Sequence, residues 1–117
     1  MSESIATSIN VSQLAAWIAE GRHLKVLDVR RAPAFEKNPC LIPGAERVPP
    51  DQVDEWSRRN NNAITVIAYC VYGHEVSQGA ASALKVKGFD VVFLEGGISE
   101  WQSQGHPTAA SDGKPFV

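Results

Sequence analysis

Cys70 stands where a buried strand is predicted to end and a loop to begin. Residues 64–69 are almost continuously apolar and β-branched, a composition typical of a strand that is covered on both faces. Residues 71–75 follow as a loop, and a helical pattern starts near residue 76. Because ligands of parallel sheets gather at the carboxyl ends of the strands, this thiol is the first candidate for chemistry in the chain.

The loop after Cys70 is suited to hold an anion. A loop that enters a helix offers backbone N–H groups without intrahelical partners, and the positive end of the helix favours negative charge. Gly73 can adopt a positive φ and let these groups converge. Such a cradle would stabilise a thiolate, which is the nucleophilic form of cysteine. A small buried cysteine without reactivity is the alternative that this segment alone leaves open.

We predict that the loop and the start of the helix line a binding site. The residues concerned are Val71, Tyr72, Gly73, His74, Glu75 and Val76. Tyr72 would wall the pocket or contact a partner protein, and His74 would assist proton transfer or be a solvated loop residue. Glu75 would either face the thiolate, which its charge would oppose, or point outward as an acid in the first helical turn. The outward orientation is the favoured interpretation.

Short β-rich segments alternate with helical patterns along the chain. Strands are predicted at residues 25–29, 47–48, 64–69 and 91–94, and helices at about residues 11–20, 33–37, 51–59, 76–87 and 98–104. Asn10 and Asp51 are the predicted N-caps of the first and third helices. The residues from Pro107 onward are expected to be loosely held. This alternation predicts a single α/β domain with a central, mostly parallel sheet of about five short strands and helices on both faces.

Composition fits one folded domain and disfavours several classes of function. The chain has 117 residues, of which 44% are hydrophobic and 21% charged, and its net charge is −2. This charge favours neither nucleic acid nor a membrane surface as a partner, and no apolar run approaches the roughly 20 residues that span a bilayer. The start lacks a secretory-signal pattern, and two cysteines are too few for a disulfide scaffold, so a cytoplasmic protein with free thiols is expected. His23 and His106 show no metal-ligand spacing.

Five short segments, in the expected order, resemble those of the rhodanese family. They are residues 26–30 (Val-Leu-Asp-Val-Arg), Phe35, residues 42–45 (Ile-Pro-Gly-Ala), residues 69–73 (Tyr-Cys-Val-Tyr-Gly) and residues 94–101 (Leu-Glu-Gly-Gly-Ile-Ser-Glu-Trp). Gly105 and Pro107 fit the usual ending of the domain. The resemblance extends over about residues 5–108. Each motif is weak alone, but together they make a strong signal.

The resemblance implies a sulfurtransferase in which Cys70 accepts a sulfane sulfur, holds it as a persulfide and passes it to a nucleophile. It implies a small sulfur donor and a thiol or cyanide-like acceptor, and the acceptor thiol can belong to a protein. Neither a metal nor an organic cofactor is implied. Asp28 is implied to order the loops by hydrogen bonds, and Arg30 and Arg31 are candidates for positive charge near the pocket. The implied domain covers residues 1–117, with its core at about 5–108 and a tail at 109–117.

The chain departs from the family in the residues that usually carry positive charge. Val71 and Glu75 stand where many rhodaneses have arginines, and Ala34 stands where a charged residue often precedes the aromatic one. Cys40 and Leu41 replace the Gly-His that usually precedes the Ile-Pro-Gly-Ala turn. We therefore expect thiosulfate, a dianion, not to be the preferred donor. Phosphatase or arsenate chemistry is disfavoured as well, because those oxyanions need the bidentate arginine that Glu75 replaces.

Two other classes of function stay open. One is a non-enzymatic module that binds a partner through the loop, although inactive members of the family usually lack the cysteine. The other is a thiol redox sensor, in which Cys70 is oxidised to a sulfenic acid and trapped by Cys40. Such a trap requires Cα atoms within about 7 Å of each other. Ser77 is predicted to be an early helix residue rather than a nucleophile, and the three tryptophans are predicted to pack in the core.

Overall fold

Strands and helices alternate along residues 7–110, the part of the chain that the computed structural model describes. The strands in this range are β1 (Thr7–Ile9), β2 (Leu24–Asp28), β3 (Cys40–Leu41), β4 (Glu46–Arg47), β5 (Thr65–Tyr69), β6 (Asp90–Leu94) and β7 (Ala109–Ala110). The helices are α1 (Val11–Ala19), α2 (Ala32–Lys37), α3 (Val53–Arg59), α4 (Glu75–Val86) and α5 (Gly97–Ser103). None of these helices is both long and apolar enough to span a membrane. The short strands β1, β3 and β7 were not predicted, because two or three residues leave too weak a pattern in the sequence.

β5 lies in the middle of a five-stranded parallel sheet with the strand order β1-β6-β5-β2-β4. This arrangement confirms the predicted α/β domain. Asp28 at the end of β2 is aligned with Tyr69 at the end of β5, so the two strands finish side by side. β5 therefore places Cys70 at the carboxyl edge of the sheet, beside the segment that follows β2.

Successive residues of β5 enter two separate cores. Val66 and Ala68 pack with α3 and α4 on one face of the sheet. Ile67 and Tyr69 pack with α1 and α5 on the other face. Because side chains of a strand alternate between faces, a strand covered on both sides must be apolar at every position. That requirement explains the continuous apolar run that precedes Cys70.

The tryptophans pack against these two cores. Trp56 of α3 and Trp101 of α5 are almost fully buried, as predicted. Trp17 of α1 is only half-buried, and the guanidinium of Arg22 lies 4.4 Å from the centroid of its ring. Arginine stacked on an aromatic face contributes a modest electrostatic attraction at such an exposed site.

The two predicted N-caps have different outcomes. Asn10 caps α1 as predicted, since its side chain accepts from the Gln13 N–H while the Gln13 side chain accepts from the Asn10 N–H. The prediction for Asp51 is wrong, because a 3-10 turn at Pro50–Gln52 precedes α3 and Gln52 occupies the cap position without a side-chain hydrogen bond. Pro50 has its φ fixed near the helical value, so the chain starts to coil before it reaches Asp51.

The end of the described chain is held more firmly than expected. The indole N–H of Trp101 donates to the carbonyl of Pro107 at 2.7 Å. Ala109 is buried and aligned with Leu41 in an antiparallel pair of β3 and β7. The prediction of a loose tail is therefore wrong as far as residue 110, because backbone pairing anchors these residues. Residues 111–117 lie outside the described part of the chain, as do residues 1–6.

Candidate active site

The start of α5 holds the loop that follows β5. The N–H groups of Ile98 and Ser99 donate to the carbonyls of Cys70 and Val71, both at 3.0 Å. Gly97, with φ at +60°, makes this approach possible, because a Cβ there would lie 2.4 Å from each of the two carbonyl oxygens. The first N–H groups of a helix lack intrahelical acceptors, and here they fix the backbone that directly follows the thiol.

Gly73 brings the far side of the same loop against the end of β6. Its φ is +78°, as predicted, and a Cβ at this position would lie 2.6 Å from the carbonyl oxygen of Leu94. The side-chain amide of Gln78 donates to the Gly73 carbonyl at 3.0 Å. The loop is thus anchored at both ends by glycines that permit close backbone contact.

The sulfur of Cys70 has a hydroxyl as its neighbour. Its Sγ lies 3.1 Å from Oγ of Ser77, and both residues are buried, Cys70 at 5% exposure and Ser77 at 0%. The Ser77 hydroxyl is also 3.4 Å from the carbonyl oxygen of His74 and can donate to it. Sequence reasoning placed Ser77 on the helix but missed this contact. The available signal was its helical spacing from Ala80, Ala81 and Leu84, which form the inward face of α4.

The loop that follows Cys70 has backbone N–H groups that are not used in the main chain. Within residues 7–110, no N–H group from Val71 to Glu75 donates to a main-chain carbonyl. α4 begins at Glu75, at the end of this loop, so the positive end of the helix dipole also favours a negative charge here. This arrangement is suited to hold an anion at Cys70 with backbone groups.

A hollow of about 170 Å³ opens at Cys70. Five of the predicted binding residues line it, namely Val71, Tyr72, His74, Glu75 and Val76. Gly73, the sixth, does not line the hollow but packs against β6. His74 and Glu75 are exposed at its rim, and Tyr72 is 61% exposed.

A larger cleft of about 630 Å³ adjoins this hollow. The hollow and the cleft share the lining residues Arg30, Arg31, Ala34, Val71 and Tyr72. The cleft then continues along α2 to Lys37 and along α5 to Ser99 and Gln102. The thiol therefore stands at the narrow end of a larger concave surface.

A buried ionic network lies beneath the site. Arg30, which is 1% exposed, forms a bidentate pair with the carboxylate of Asp28, with Nη2 2.6 Å from Oδ2. The same guanidinium donates to the carbonyls of Asn38 at 2.9 Å and Cys40 at 2.7 Å, so Asp28 orders residues 38–40 through Arg30. Burial opposes the charge of Arg30, but the hydrogen bonds and charge of Asp28 outweigh it and raise the pKa of the guanidinium.

Residues 10–104 match the family of rhodanese-like domains. The chain belongs to this family. It is 31% identical over 101 residues to the thiosulfate sulfurtransferase GlpE of Coxiella burnetii, a match that covers 85% of this chain and 91% of the relative. It is 29% identical over 103 residues to the probable adenylyltransferase/sulfurtransferase MoeZ of Mycobacterium tuberculosis, but that match covers 86% of this chain and only 26% of the relative, about a quarter of its length.

Solved structures agree with this assignment. The rhodanese-related protein of Thermoplasma volcanium superposes with a TM-score of 0.76 at 28% sequence identity, covering 88% of this chain and 97% of that chain. The resemblance deduced from five short motifs is thereby confirmed, and so is the fold that it implied. The names of the curated relatives support a sulfurtransferase family.

Arg30 and Arg31, the two candidates for positive charge near the pocket of this rhodanese-like domain, differ in their surroundings. The guanidinium of Arg30 borders the hollow, but its charge is paired with Asp28. Arg31, by contrast, is exposed, lines both the hollow and the cleft, and is in no ion pair within the described residues. The sequence could not separate these two neighbouring arginines, because the difference depends on which one turns inward to Asp28.

Cys40 belongs to a different environment from Cys70. Its sulfur accepts from the amide of Gln102 at 3.0 Å and donates to the side-chain oxygen of Asn38 at 3.1 Å, within the core on the α1 and α5 face. The sulfur of Cys70 instead contacts Ser77 of α4, on the other face of the sheet. Both thiols are free, and the structure does not bring them together as a resolving pair.

Proposed function

We propose that this rhodanese-like domain is a sulfurtransferase that carries a sulfane sulfur as a persulfide on Cys70. The observation that carries the proposal is a buried thiol that lines a hollow, with a hydroxyl beside its sulfur and a following loop whose backbone N–H groups have no main-chain acceptor. These groups favour a nucleophilic thiolate and then an anionic persulfide at the same place. The names of the curated relatives support this class of reaction.

The reaction proceeds in two displacements. The Cys70 thiolate attacks the sulfane sulfur of a donor, an Sγ–S bond forms, and the donor leaves with the electron pair of the bond that breaks. A thiol or cyanide-like acceptor then attacks the outer sulfur of the persulfide and regenerates the thiolate. In this ping-pong scheme the sulfur of Cys70 is the nucleophile of the first displacement and the leaving group of the second.

The lining of the hollow leaves one unpaired cation for a donor anion. Arg31 is in no ion pair among the described residues, whereas Arg30 is paired with Asp28 and Val71 adds no charge. Glu75 adds a negative charge at the rim. A dianion such as thiosulfate would be held by Arg31 and backbone N–H groups but opposed by Glu75, and on this balance we propose that it is not the preferred donor.

A reducing compartment such as the cytoplasm would keep both cysteines free and supply thiol acceptors.

Peptide mass spectrometry after exposure to a sulfane sulfur donor tests the proposal. The peptide that contains Cys70 should gain the mass of one sulfur atom and lose it again when a thiol acceptor is added. Cys70→Ser should neither gain sulfur nor turn over. Cys40→Ser, which changes a thiol on the other face of the sheet, is the matched control and should retain activity.

Two results would contradict the proposed function. One is full turnover by Cys70→Ser, and the other is a wild-type protein that transfers no sulfur from any donor. A Cys40–Cys70 crosslink after peroxide treatment would instead favour a redox sensor.

A further inference from the structure

α2 forms one wall of the candidate site without being packed into a core. Ala34 lines both the hollow and the cleft, and Lys37 lines the cleft. None of the six residues of α2 is buried, and its N-cap residue, Arg31, makes no side-chain capping hydrogen bond. Because the stability of a short helix in a protein comes mainly from tertiary packing, other contacts must hold this wall in place.

Phe35 connects α2 to the rest of the domain. Two guanidinium groups lie close to its half-buried ring, that of Arg30 at 5.0 Å and that of Arg47 at 4.4 Å from the centroid. Both distances lie within the roughly 6 Å over which an aromatic face attracts a cation. Arg30 is itself held by Asp28, whereas Arg47 reaches the ring from β4. The ring therefore attaches α2 to the ends of β2 and β4.

Arg47 also holds the backbone that leads into α2. Its Nη1 donates to the carbonyl of Arg30 at 2.7 Å and lies 3.3 Å from the carbonyl oxygen of Asp28. The Arg30 carbonyl belongs to the planar peptide unit that directly precedes Arg31. On the other side, the N–H of Phe35 donates to the carbonyl of Arg31 at 3.0 Å. Arg47 thus restrains the chain before Arg31 through a carbonyl, and one helical turn after it through an aromatic ring.

We infer that Arg47 is a positioning residue that holds Arg31, the unpaired cation of the hollow, at the site of Cys70. Arg31 is exposed, lines the same hollow as the thiol and is in no ion pair within residues 7–110. The place of its charge therefore depends on how its backbone is held. The inference rests on the proposed function, in which this cation attracts an anionic donor.

A direct effect of the Arg47 charge is the alternative to positioning. Nη1 of Arg47 lies 3.7 Å from Oδ1 of Asp28, but this carboxylate is already paired with Arg30, so two guanidiniums share one carboxylate. A substitution of Arg47 thus removes a charge as well as its contacts. Phe35→Leu separates the two effects, because it keeps both guanidiniums and removes the ring.

Alkylation of Cys70 by iodoacetate and by iodoacetamide measures the position of Arg31. Both reagents react with the thiolate, so the ratio of their rate constants does not depend on the amount of thiolate, and only iodoacetate is charged. Mass spectrometry of the Cys70 peptide separates this reaction from alkylation of Cys40. Arg31→Gln should lower the iodoacetate-to-iodoacetamide ratio about threefold, since attraction between exposed charges is modest.

Arg47→Met and Phe35→Leu should each lower this ratio about two- to threefold, because Arg31 is no longer held at the hollow. Neither change should lower the ratio further when it is combined with Arg31→Gln. Arg22→Met is the matched control. The guanidinium of Arg22 is also 4.4 Å from the centroid of an aromatic ring, that of Trp17, but neither residue lines the hollow or the cleft. This control should keep the wild-type ratio.

Turnover with thiosulfate as an anionic probe gives a second measurement. Arg47→Met should raise the KM about two- to threefold and change the kcat less, because Arg31 would attract the anion without taking part in the bond that breaks. Arg22→Met should change neither constant. A lower kcat with an unchanged KM in Arg47→Met would contradict the positioning of Arg31.

Three results of the alkylation experiment would overturn the inference. One is an unchanged ratio in Arg31→Gln, Arg47→Met or Phe35→Leu. Another is a further fall when Arg47→Met or Phe35→Leu is added to Arg31→Gln, and the third is an equal fall in Arg22→Met. If Arg47→Met does not fold, Phe35→Leu and its combination with Arg31→Gln decide alone. The proposed function fails by a different result, a Cys70 that accepts sulfur from no donor, and alkylation does not depend on that result.

Discussion

At the scale of single residues, Ser77 is the side chain best placed to act on Cys70. Among the described residues its hydroxyl is the side-chain group within hydrogen-bonding distance of the sulfur. While the thiol is protonated it can donate to Ser77, whose own hydrogen can turn to the carbonyl of His74. Once the thiolate forms, the hydroxyl can rotate and donate to the sulfur instead. Hydrogen bonds to an ionised acceptor are roughly twice as strong as neutral ones, so Ser77 should favour the charged states of Cys70.

We expect Ser77→Ala to slow the formation of the persulfide by about ten- to a hundredfold, since loss of a hydrogen bond to a charged group costs about 1.5–3 kcal/mol. Stopped-flow measurements of persulfide formation would show this effect. Ser57→Ala is the matched control, because Ser57 is also buried and bonded to a carbonyl of its own helix, that of Asp54. Equal rates for wild type and Ser77→Ala would contradict this role.

Single residues also show where sequence reasoning reaches its limit. Cys70 was predictable because its strand, loop and helix each leave a pattern in the chain. The pairing of Arg30 with Asp28, and the free state of Arg31, were not predictable. They depend on which side chain turns inward after β2, and adjacent residues of one type carry no sign of that choice.

At the scale of elements, α5 works as a clamp on the active-site loop. Its first N–H groups hold the carbonyls of Cys70 and Val71, and Gly97 supplies the space. The Gly-Gly pair could be recognised in the sequence as a turn, but its contact with a loop more than twenty residues earlier could not. The same holds for β3 and β7, whose pairing joins segments far apart in the chain. Local patterns specify elements, whereas contacts between distant elements require the folded chain.

Gly97→Ala should therefore impair both stability and sulfur transfer. Its φ of +60° imposes a cost of about 1–2 kcal/mol on any residue with a Cβ, and the new methyl group would also displace the loop at Cys70. Gly105→Ala is the matched control, because its φ is +82° and no atom lies within 4 Å of the added Cβ. Urea unfolding should show a larger loss for Gly97→Ala, and only this variant should form the persulfide more slowly. If the two variants lose equal stability and both keep the wild-type rate, α5 does not clamp the loop.

At the scale of the whole molecule, one buried network joins β2, β5 and the residues around β3. Asp28 accepts from Arg30 and from the hydroxyl of Tyr69 at 3.1 Å, and that hydroxyl accepts from the N–H of Ile42 at 3.2 Å. The network spans residues 28–69 and explains why the Asp-x-Arg strand, the Ile-Pro-Gly-Ala turn and the Tyr-Cys strand occur together in this chain. Three motifs that are weak in the sequence are thus parts of one structure. This is why their joint presence predicted the fold correctly.

The network also predicts how stability depends on pH in alkaline solution. Burial and the nearby carboxylate of Asp28 raise the pKa of Tyr69 far above its ordinary value of 10.0. Above about pH 10 the unfolded chain therefore loses a proton that the folded chain keeps, so the free energy of unfolding must fall as pH rises. The slope from this residue should approach about 1.4 kcal/mol per pH unit, because each proton contributes that amount.

Urea unfolding between about pH 8 and pH 11 would measure this slope. Tyr69→Phe should be less stable than the wild type at the lower end of this range, because Asp28 loses a donor. Its alkaline decline should nevertheless be shallower, since the titrating hydroxyl is gone. Tyr72→Phe removes an exposed hydroxyl at the mouth of the hollow and should keep the wild-type slope. If Tyr69→Phe and the wild type decline in parallel, the buried hydroxyl is not the group whose proton the folded state retains, and the alkaline loss of stability arises elsewhere in the chain.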